Sequence, residues 1–405
     1  ALSAGKEEGM RLSPKQKRYW NEANCRWNVK YGATRSGKTY LDYFVIPRRL
    51  LAREGRPGLA VLLGNTRGTL ERNVLAPMRD LYGAKMVSPL RADGTATLFG
   101  ERVHCLGADN KKHVDRLRGA SIKYCYGDEV VTWNAEAFEM LKSRLDKAYS
   151  CFDGTCNPGG PGHWFKKFLD SGADVFSQQY GIDDNPFLPE SVRGSLKREY
   201  TGVFYQRYIL GQWVAAEGAV YPMFERGRHV SDAVPDMRFT WVGVDYGHTN
   251  PTAFVRLGLG EDGRVWALEE YYHASGETGA RSPRQYAADL IRFARGSACV
   301  VIDPSAEGFI LQLHEDSPAL RLKKADNAVL EGVQLVSAAL DAGKLMFHPR
   351  CERLIAEMEG YRWDERARER GDDKPRKEDD HAVDALRYGL MHYRRDVRRL
   401  CRQGT

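Results

Sequence analysis

The stretch Gly32-Ala33-Thr34-Arg35-Ser36-Gly37-Lys38-Thr39 fits the pattern G-x-x-x-x-G-K-[ST] at every fixed position. In that pattern the glycines let backbone N–H groups close around phosphates, the lysine reaches the terminal phosphates and the hydroxyl residue meets Mg²⁺. Gly32, Arg35, Ser36, Gly37, Lys38 and Thr39 are therefore the expected nucleotide-binding residues, with Thr39 also at the metal. Downstream, Ile122-Lys123-Tyr124-Cys125-Tyr126-Gly127 runs into Asp128-Glu129, an apolar-leaning strand ending in two acids. After a phosphate loop, the first such acid holds Mg²⁺ through water and the second polarises the attacking water. Asp128 is thus a metal candidate and Glu129 a general-base candidate. Arg35, Arg118 and Arg144 are candidates for stabilising the charge that spreads over the γ-phosphoryl oxygens. Thr155 and Asn157, at the end of Cys151–Cys156 and before Pro158, suit a sensor of the γ-phosphate or an Asx turn.

A second set lies towards the C-terminus: Asp245, Asp303, and the run Glu378-Asp379-Asp380-His381-Ala382-Val383-Asp384. Three carboxylates from two strand ends and a helix are what two Mg²⁺ or Mn²⁺ ions about 3.5–4 Å apart need for phosphodiester hydrolysis. Hard cations prefer such oxygen ligands. Asp380 and Asp384 are i,i+4 and His381 and Asp384 are i,i+3, so Asp384 shares a face with either. His381 is a candidate to ligate a metal or carry a proton.

These residues need elements to hold them. Arg26–Tyr31 reads as a strand and Tyr40–Ile46 as a helix, the context a phosphate loop requires. Leu59–Gly64 is a continuous apolar run of the kind a strand buried on both faces shows, and Thr95–Leu106 reads as a hairpin turning at Gly100-Glu101. Ser13-Pro14-Lys15-Gln16 forms a capping box with Pro at the first helical position; Gln16 is either that cap or a contact to an adenine edge. Residues 183–213 read as helical and aromatic-rich. Then the periodicity changes: strands at Phe239–Asp245, Thr252–Gly258 and Arg264–Tyr272 form an antiparallel meander, followed by a helix over 282–293 and a strand at Ala298–Asp303. That order opens a ribonuclease-H-like fold and predicts Asp245 and Asp303 on neighbouring strand ends.

Length and composition set the frame. A chain of 405 residues exceeds one ordinary core, so two domains are expected: 1–214, a linker over 215–236, and 237–405. No apolar run approaches the roughly 20 residues of a membrane span, and residues 1–10 lack a secretory pattern; a cytoplasmic, non-secreted protein with no membrane partner is expected. Eight cysteines occur without zinc spacing, so reduced thiols are expected. The net charge of +7 is concentrated at Arg394, Arg395, Arg398, Arg399 and Arg402, which suits either a polyanionic partner or a solvated tail.

Together the phosphate loop GATRSGKT, the strand YCYGDE, the TCNP segment, and VGVDYG, VVIDPS and DDHAVDALRY resemble the large terminase subunit of tailed bacteriophages or prophages, over nearly the whole chain. The resemblance implies an α/β protein: a P-loop ATPase domain of the RecA/ASCE kind with a mostly parallel sheet, then a ribonuclease-H-like nuclease domain. It implies an ATP-driven motor that moves double-stranded DNA into a procapsid through the portal, with Mg²⁺ or Mn²⁺-dependent cutting of concatemers. It further implies a small terminase subunit as partner, a ring on the portal, and action in the host cytoplasm. By matching position Glu129 is the catalytic acid, Thr155 and Asn157 the coupling segment, Gln16 the adenine contact, Arg118 an arginine given to a neighbour's site, and Asp245, Asp303 and Asp384 the nuclease acids, with Asp379 and Asp380 competing for the last place. A DNA repair or recombination ATPase-nuclease is the alternative.

Overall fold

The computed structural model describes residues 11–108, 119–247, 250–274, 279 and 281–402. The chain divides into two units: one runs to Arg193 and includes Val203–Ala215, and the other takes Gly194–Gly202 and continues from Ala216.

The first unit is built on a seven-stranded sheet of β1 (Trp27–Gly32), β2 (Leu59–Gly64), β3 (Thr95–Leu98), β4 (Glu101–Gly107), β5 (Ile122–Gly127), β6 (Cys151–Cys156) and β7 (Val175–Tyr180). Its order is β3-β4-β2-β5-β6-β1-β7, parallel throughout except for the β3–β4 hairpin. β5 and β6 are buried along their whole length, as a parallel sheet covered on both faces demands. Trp27, Phe138, Phe152 and Phe165 fill one side and Ile46, Leu62, Tyr124 and Val74 the other.

One pair is unusual in that core. Lys30 on β1 meets Asp42 of the Lys38–Leu51 helix at 2.7 Å, both side chains fully buried, and the ammonium lies 3.8 Å from the Tyr19 ring centre. Tyr19 donates its hydroxyl to Asp153 Oδ1 at 2.9 Å, and Asp153 also holds Arg49 at 2.8 Å. The strand before the phosphate loop and the helix after it are thereby tied by charge inside the protein.

The second unit has a six-stranded sheet of β8 (Met237–Asp245), β9 (Thr252–Gly260), β10 (Val265–His273), β11 (Val300–Ile302), β12 (Leu322–Lys324) and β13 (Leu345–Phe347). Its order is β12-β11-β8-β9-β10-β13. β8, β9 and β10 form the expected antiparallel meander, and β11 lies parallel to β8. The His381–His392 helix lies directly on β8. Gly243 makes that approach possible, since a Cβ there would stand 2.0 Å from the Ala385 carbonyl oxygen, and Trp241 Nε1 donates to Gly389 O at 3.0 Å.

Three expectations meet a different local structure. Residues 216–236 group with the second unit, where Ala219 bridges Arg362 and Val230 bridges Phe347; Val220, Tyr221 and His229 are buried there, which the Gly/Ala/Glu composition around them concealed. The 183–213 segment is broken into helices Glu190–Glu199 and Gly202–Tyr208, as its prolines at 186 and 189 and its glycines at 202 and 211 require. The basic tail forms the helix Arg394–Arg402, and four of its arginines face acids: Arg394–Asp326, Arg398–Glu331, Arg399–Asp396 and Arg402–Glu199, at 2.7–2.9 Å. Most of that charge is therefore matched within the chain. All eight cysteines are thiols, and among the described residues no helix is long and apolar enough to cross a membrane.

Candidate active sites

The first site sits at the carboxyl ends of β1, β5 and β6, where open α/β sheets bind ligands. Register puts the pieces side by side: Tyr31 pairs with Cys156, and Gly127 with Gly154, so the phosphate loop, Asp128-Glu129 and Thr155–Asn157 emerge together. Gly32 must be glycine, because its φ is +138° and a Cβ would lie 1.9 Å from Tyr180 O. Lys38 Nζ donates to Gly32 O at 3.1 Å, Ala33 O at 2.6 Å and Asn157 Oδ1 at 3.3 Å; its burial pulls its pKa down, although Glu129 acts against this. Ser36 Oγ donates to Ala33 O at 2.8 Å, and Thr39, half-buried, follows Lys38 in the first turn of the helix.

Gln16 forms the expected cap and also reaches the phosphate loop. Its Oε1 accepts from Ser13 N at 2.8 Å, completing the capping box, and its Nε2 donates to Gly37 O at 2.9 Å. The cap of the first helix therefore touches the phosphate loop.

Asp128 is buried and surrounded by donors at 3.4 Å: Asn73 Nδ2 on Oδ2, and Thr155 and Tyr126 hydroxyls on Oδ1. Burial raises its pKa despite those bonds. Glu129 takes the left-handed conformation, φ 51°, a strain that sites of function retain. Burial raises its pKa as well, opposed by Lys38 and by the Asn157 backbone N–H. An acid poised above the ordinary carboxylate range and beside the phosphate loop has the properties of a general base.

The arginines separate. Arg35 is exposed on the loop at φ 60°, with Asn185 Nδ2 donating to its carbonyl at 2.8 Å. Arg144 lies past the Ala135–Lys142 helix, and its carbonyl accepts from Ile122 N at the start of β5. That backbone is at the opposite end of the strand from Asp128, so Arg144 is not brought to the phosphate loop of its own chain. Arg118 lies outside the described residues.

The second site lies where β8 and β11 end. Val300 and Ile302 pair with Val242 and Val244, which brings Asp245 and Asp303 onto adjacent strand ends, with the His381–His392 helix above. Each carboxylate is held by its own donor. Asp245 Oδ2 is 2.8 Å from His381 Nδ1; Asp303 accepts from Ser305 N at 2.7 Å, Asn327 Nδ2 at 2.9 Å and Tyr388 OH at 3.0 Å; Asp384 Oδ1 accepts from Arg387 Nε and Nη2 at 3.2 and 2.9 Å. Among the described residues, therefore, no three His, Cys, Asp or Glu side chains converge as a ready metal cage. The strand ends are neighbours as expected, and each side chain is engaged by protein donors.

Charge nonetheless fits a cation here. Burial raises the pKa of Asp245, with Asp384 and Asp303 adding to it, and burial followed by Asp384 does the same to Asp380. Asp380 Oδ2 is buried without a hydrogen-bond partner, an expense a hard cation would remove. Asp303 is the exception, since its hydrogen bonds outweigh partial burial and lower its pKa. His381 would be lowered by burial, yet the bond to Asp245 raises it; with Nδ1 so engaged, His381 orients Asp245. Asp379, at φ 46°, is exposed.

Sequence patterns missed several participants. Asn73 approaches Asp128 from a π-turn at Glu71–Leu75, a feature frequent at functional sites but without a sequence signature. Glu357 accepts from Ala382 and Val383 N at 2.8 and 2.9 Å, capping the His381–His392 helix from a distant segment. Arg387 and Tyr388 stood inside the DDHAVDALRY run at helical spacing from Asp384, and that spacing was the available signal.

Comparison with known proteins follows the same division. The family model described as terminase large subunit, T4likevirus-type, N-terminal matches residues 30–228, and that described as terminase RNaseH-like domain matches residues 242–393. The chain is similar to the terminase large subunit of Escherichia phage T5, 27% identical over 300 residues, covering 68% of this chain and 66% of that protein. Among solved structures it is similar to the large terminase of a thermophilic bacteriophage, with a TM-score of 0.84 and 31% identity over 95% of this chain and 99% of that one. The complexes of that same thermophilic-phage terminase with ADP and with ATP-gamma-S align at TM-scores of 0.82 and 0.81, 31% and 30% identical, each covering 94% of this chain and 99% of the other.

Proposed function

The chain belongs to the bacteriophage large-terminase family, and from that premise we propose that it is an ATP-driven DNA-packaging motor that also cuts DNA. The first unit hydrolyses ATP to move double-stranded DNA into a procapsid through the portal, and the second unit cuts concatemeric DNA when packaging starts and ends. The motor acts as a ring on the portal, with a small terminase subunit, in the bacterial cytoplasm.

Lys38 and the loop N–H groups would hold the phosphates, Gln16 would face the base, Thr39 and Asp128 would hold the Mg²⁺, and Glu129 would accept a proton from the attacking water. Asn157 reaches both Lys38 and Glu129, so it senses the γ-phosphate and passes its loss to β6, while Arg35 or Arg118 offsets the transition-state charge. The nucleotide complexes of the thermophilic-phage relative support ATP as fuel. In the second unit Asp245, Asp303, Asp384 and Asp380 would hold divalent cations, which supply an activated water and stabilise the leaving oxygen. His381 fixes the carboxylate of Asp245, and Tyr388 with Asn327 fixes that of Asp303.

The observation that carries this reading is the presence in one chain of a phosphate loop register-matched to Asp128-Glu129 and, in a separate unit, of acids on adjacent strand ends. The test is ATPase activity with and without DNA and procapsids, beside plasmid cutting in Mn²⁺. ATP turnover indifferent to both, with no cutting, would overturn it.

A further inference from the structure

Asp384 stands between two cations of opposite character. Arg387, 2% exposed, holds Oδ1 from inside; Lys377, 81% exposed, lies 3.9 Å from Oδ2 on the solvent side. The inner cation is fixed by two N–H donors on that single carboxylate oxygen. The outer one is a flexible ammonium at the rim of the acid set, too loosely placed for the contact to add stability.

Lys377 ends an excursion that is itself ordered. Trp363 bridges Pro375, Asp364 N donates to Lys374 O at 2.8 Å, and Arg376 N donates to Arg362 O at 2.9 Å, so Arg362 and Arg376 are pinned side by side. Arg362 Nη1 is set by the carbonyls of Glu359 and Tyr361. Both arginines line a cleft of about 360 Å³ that continues to Arg353 and Tyr272. Tyr272 is level with Ala253, which is level with Asp245, so the cleft opens on the same sheet face as the acids.

The acids of the cleft do not cancel the charge of Arg362 and Arg376. Glu357 is committed to the N–H groups of Ala382 and Val383. Glu378 is 3.7 Å from Arg376 with both side chains more than half exposed, a surface pair that a phosphate can displace. Asp379 leads into the acid set. A run of cations leading from a metal-binding acid set, with Tyr272 as its aromatic member, matches a phosphodiester backbone.

We infer that Lys377, Arg376 and Arg362, extended by Arg353, form the track that grips the DNA backbone beside the cut. The inference rests on the nuclease reading of the acid set and adds the side chains that hold its substrate. Lys377 takes the phosphate nearest the reacting one, and the arginine pair takes those along the same strand.

The test uses the full chain and a short fluorescent duplex in EDTA, where nothing is cut, with affinity measured against KCl concentration. Lys377→Ala and Arg376→Ala should each weaken binding by roughly tenfold, and together they should flatten the slope of log affinity against log salt by about two. Lys377→Arg should restore binding, and Arg264→Ala, at the far end of the meander, should change nothing. In Mn²⁺ the double variant should raise KM for cutting while kcat falls less. An unchanged salt slope beside normal wild-type cutting overturns the track and leaves the nuclease reading intact. A reduced slope without any wild-type cutting in Mg²⁺ or Mn²⁺ overturns the reading on which the track rests.

Discussion

Asp384 and Arg387, one turn apart on a single helix, are locked by two hydrogen bonds at 2.9 and 3.2 Å, with side chains 7% and 2% exposed. Asp384 Oδ1 is thus engaged within its own helix, unlike Asp380 Oδ2, which has no hydrogen-bond partner. Arg387→Ala should cost about 3–5 kcal/mol, because it strands a buried carboxylate, whereas Asp384→Leu with Arg387→Met should recover most of that loss and still abolish cutting. Denaturation midpoints with cutting assays decide it; a single variant as stable as the parent would contradict the pairing.

The two chemistries should separate by mutation. Lys38→Ala is expected to lower ATP turnover by about 10²-fold or more and leave Mn²⁺-dependent plasmid cutting intact. Glu129→Gln should keep ATP binding and lose hydrolysis, and the parent's acid limb of kcat should lie above the ordinary Glu value of 4.5 because burial raises this carboxyl. Steady-state rates across pH give both answers.

Asp245→Asn should abolish cutting and spare ATPase activity. It should also lower the pKa of His381, since the bond to Asp245 is what raises it against burial. Following the His381 ring protons by NMR through a titration reads this without any catalysis, and an unshifted titration would dissolve the pair.

Gly243→Ala places a methyl against the carbonyl of Ala385, 2.0 Å away before relaxation. The helix bearing His381 and Asp384 must lift from β8, with a loss of about 2 kcal/mol or more and of cutting. ATP turnover should persist, and melting of the variant alongside both assays reveals whether it does.

Glu357 supplies a pH signature. Burial pushes its carboxyl up to about 7 from 4.5, although the Val383 and Ala382 N–H groups act against that. The native state therefore keeps a proton that the unfolded chain releases, so this group's stabilisation is complete below pH 4.5 and disappears as pH rises through 7. Glu357→Gln should flatten the loss of stability over that window by on the order of 3 kcal/mol at most. Equal slopes for parent and variant in calorimetry would contradict it.

How much of this could be read from the chain depended on range. Gly32 to Thr39, Asp128-Glu129 and the meander around Asp245 are local patterns, and each forms where its spacing puts it. Gln16 was undecidable in sequence between helix cap and adenine contact; the structure forms the cap with Oε1 and turns Nε2 to the phosphate loop at Gly37 O. What stayed hidden is non-local: Glu357 meets Ala382 from 25 residues away, Asn73 reaches Asp128 from the turn after β2, and Val220 is tied to Tyr361 O beside an isolated bridge from Ala219 to Arg362. The separation of Asp245, Asp303 and Asp384 onto three different donors could not follow from their spacing, since spacing fixes backbones and not the partners that side chains choose.

The sealed contact between Lys30 and Asp42 bears on inheritance. Removing either member alone leaves its mate without its partner in a dry interior, whereas exchanging both for hydrocarbon of like volume is nearly neutral. Descendants of this chain can abandon the pair only in a single double step, so the two positions should be kept or lost jointly, long after surface contacts around them have drifted.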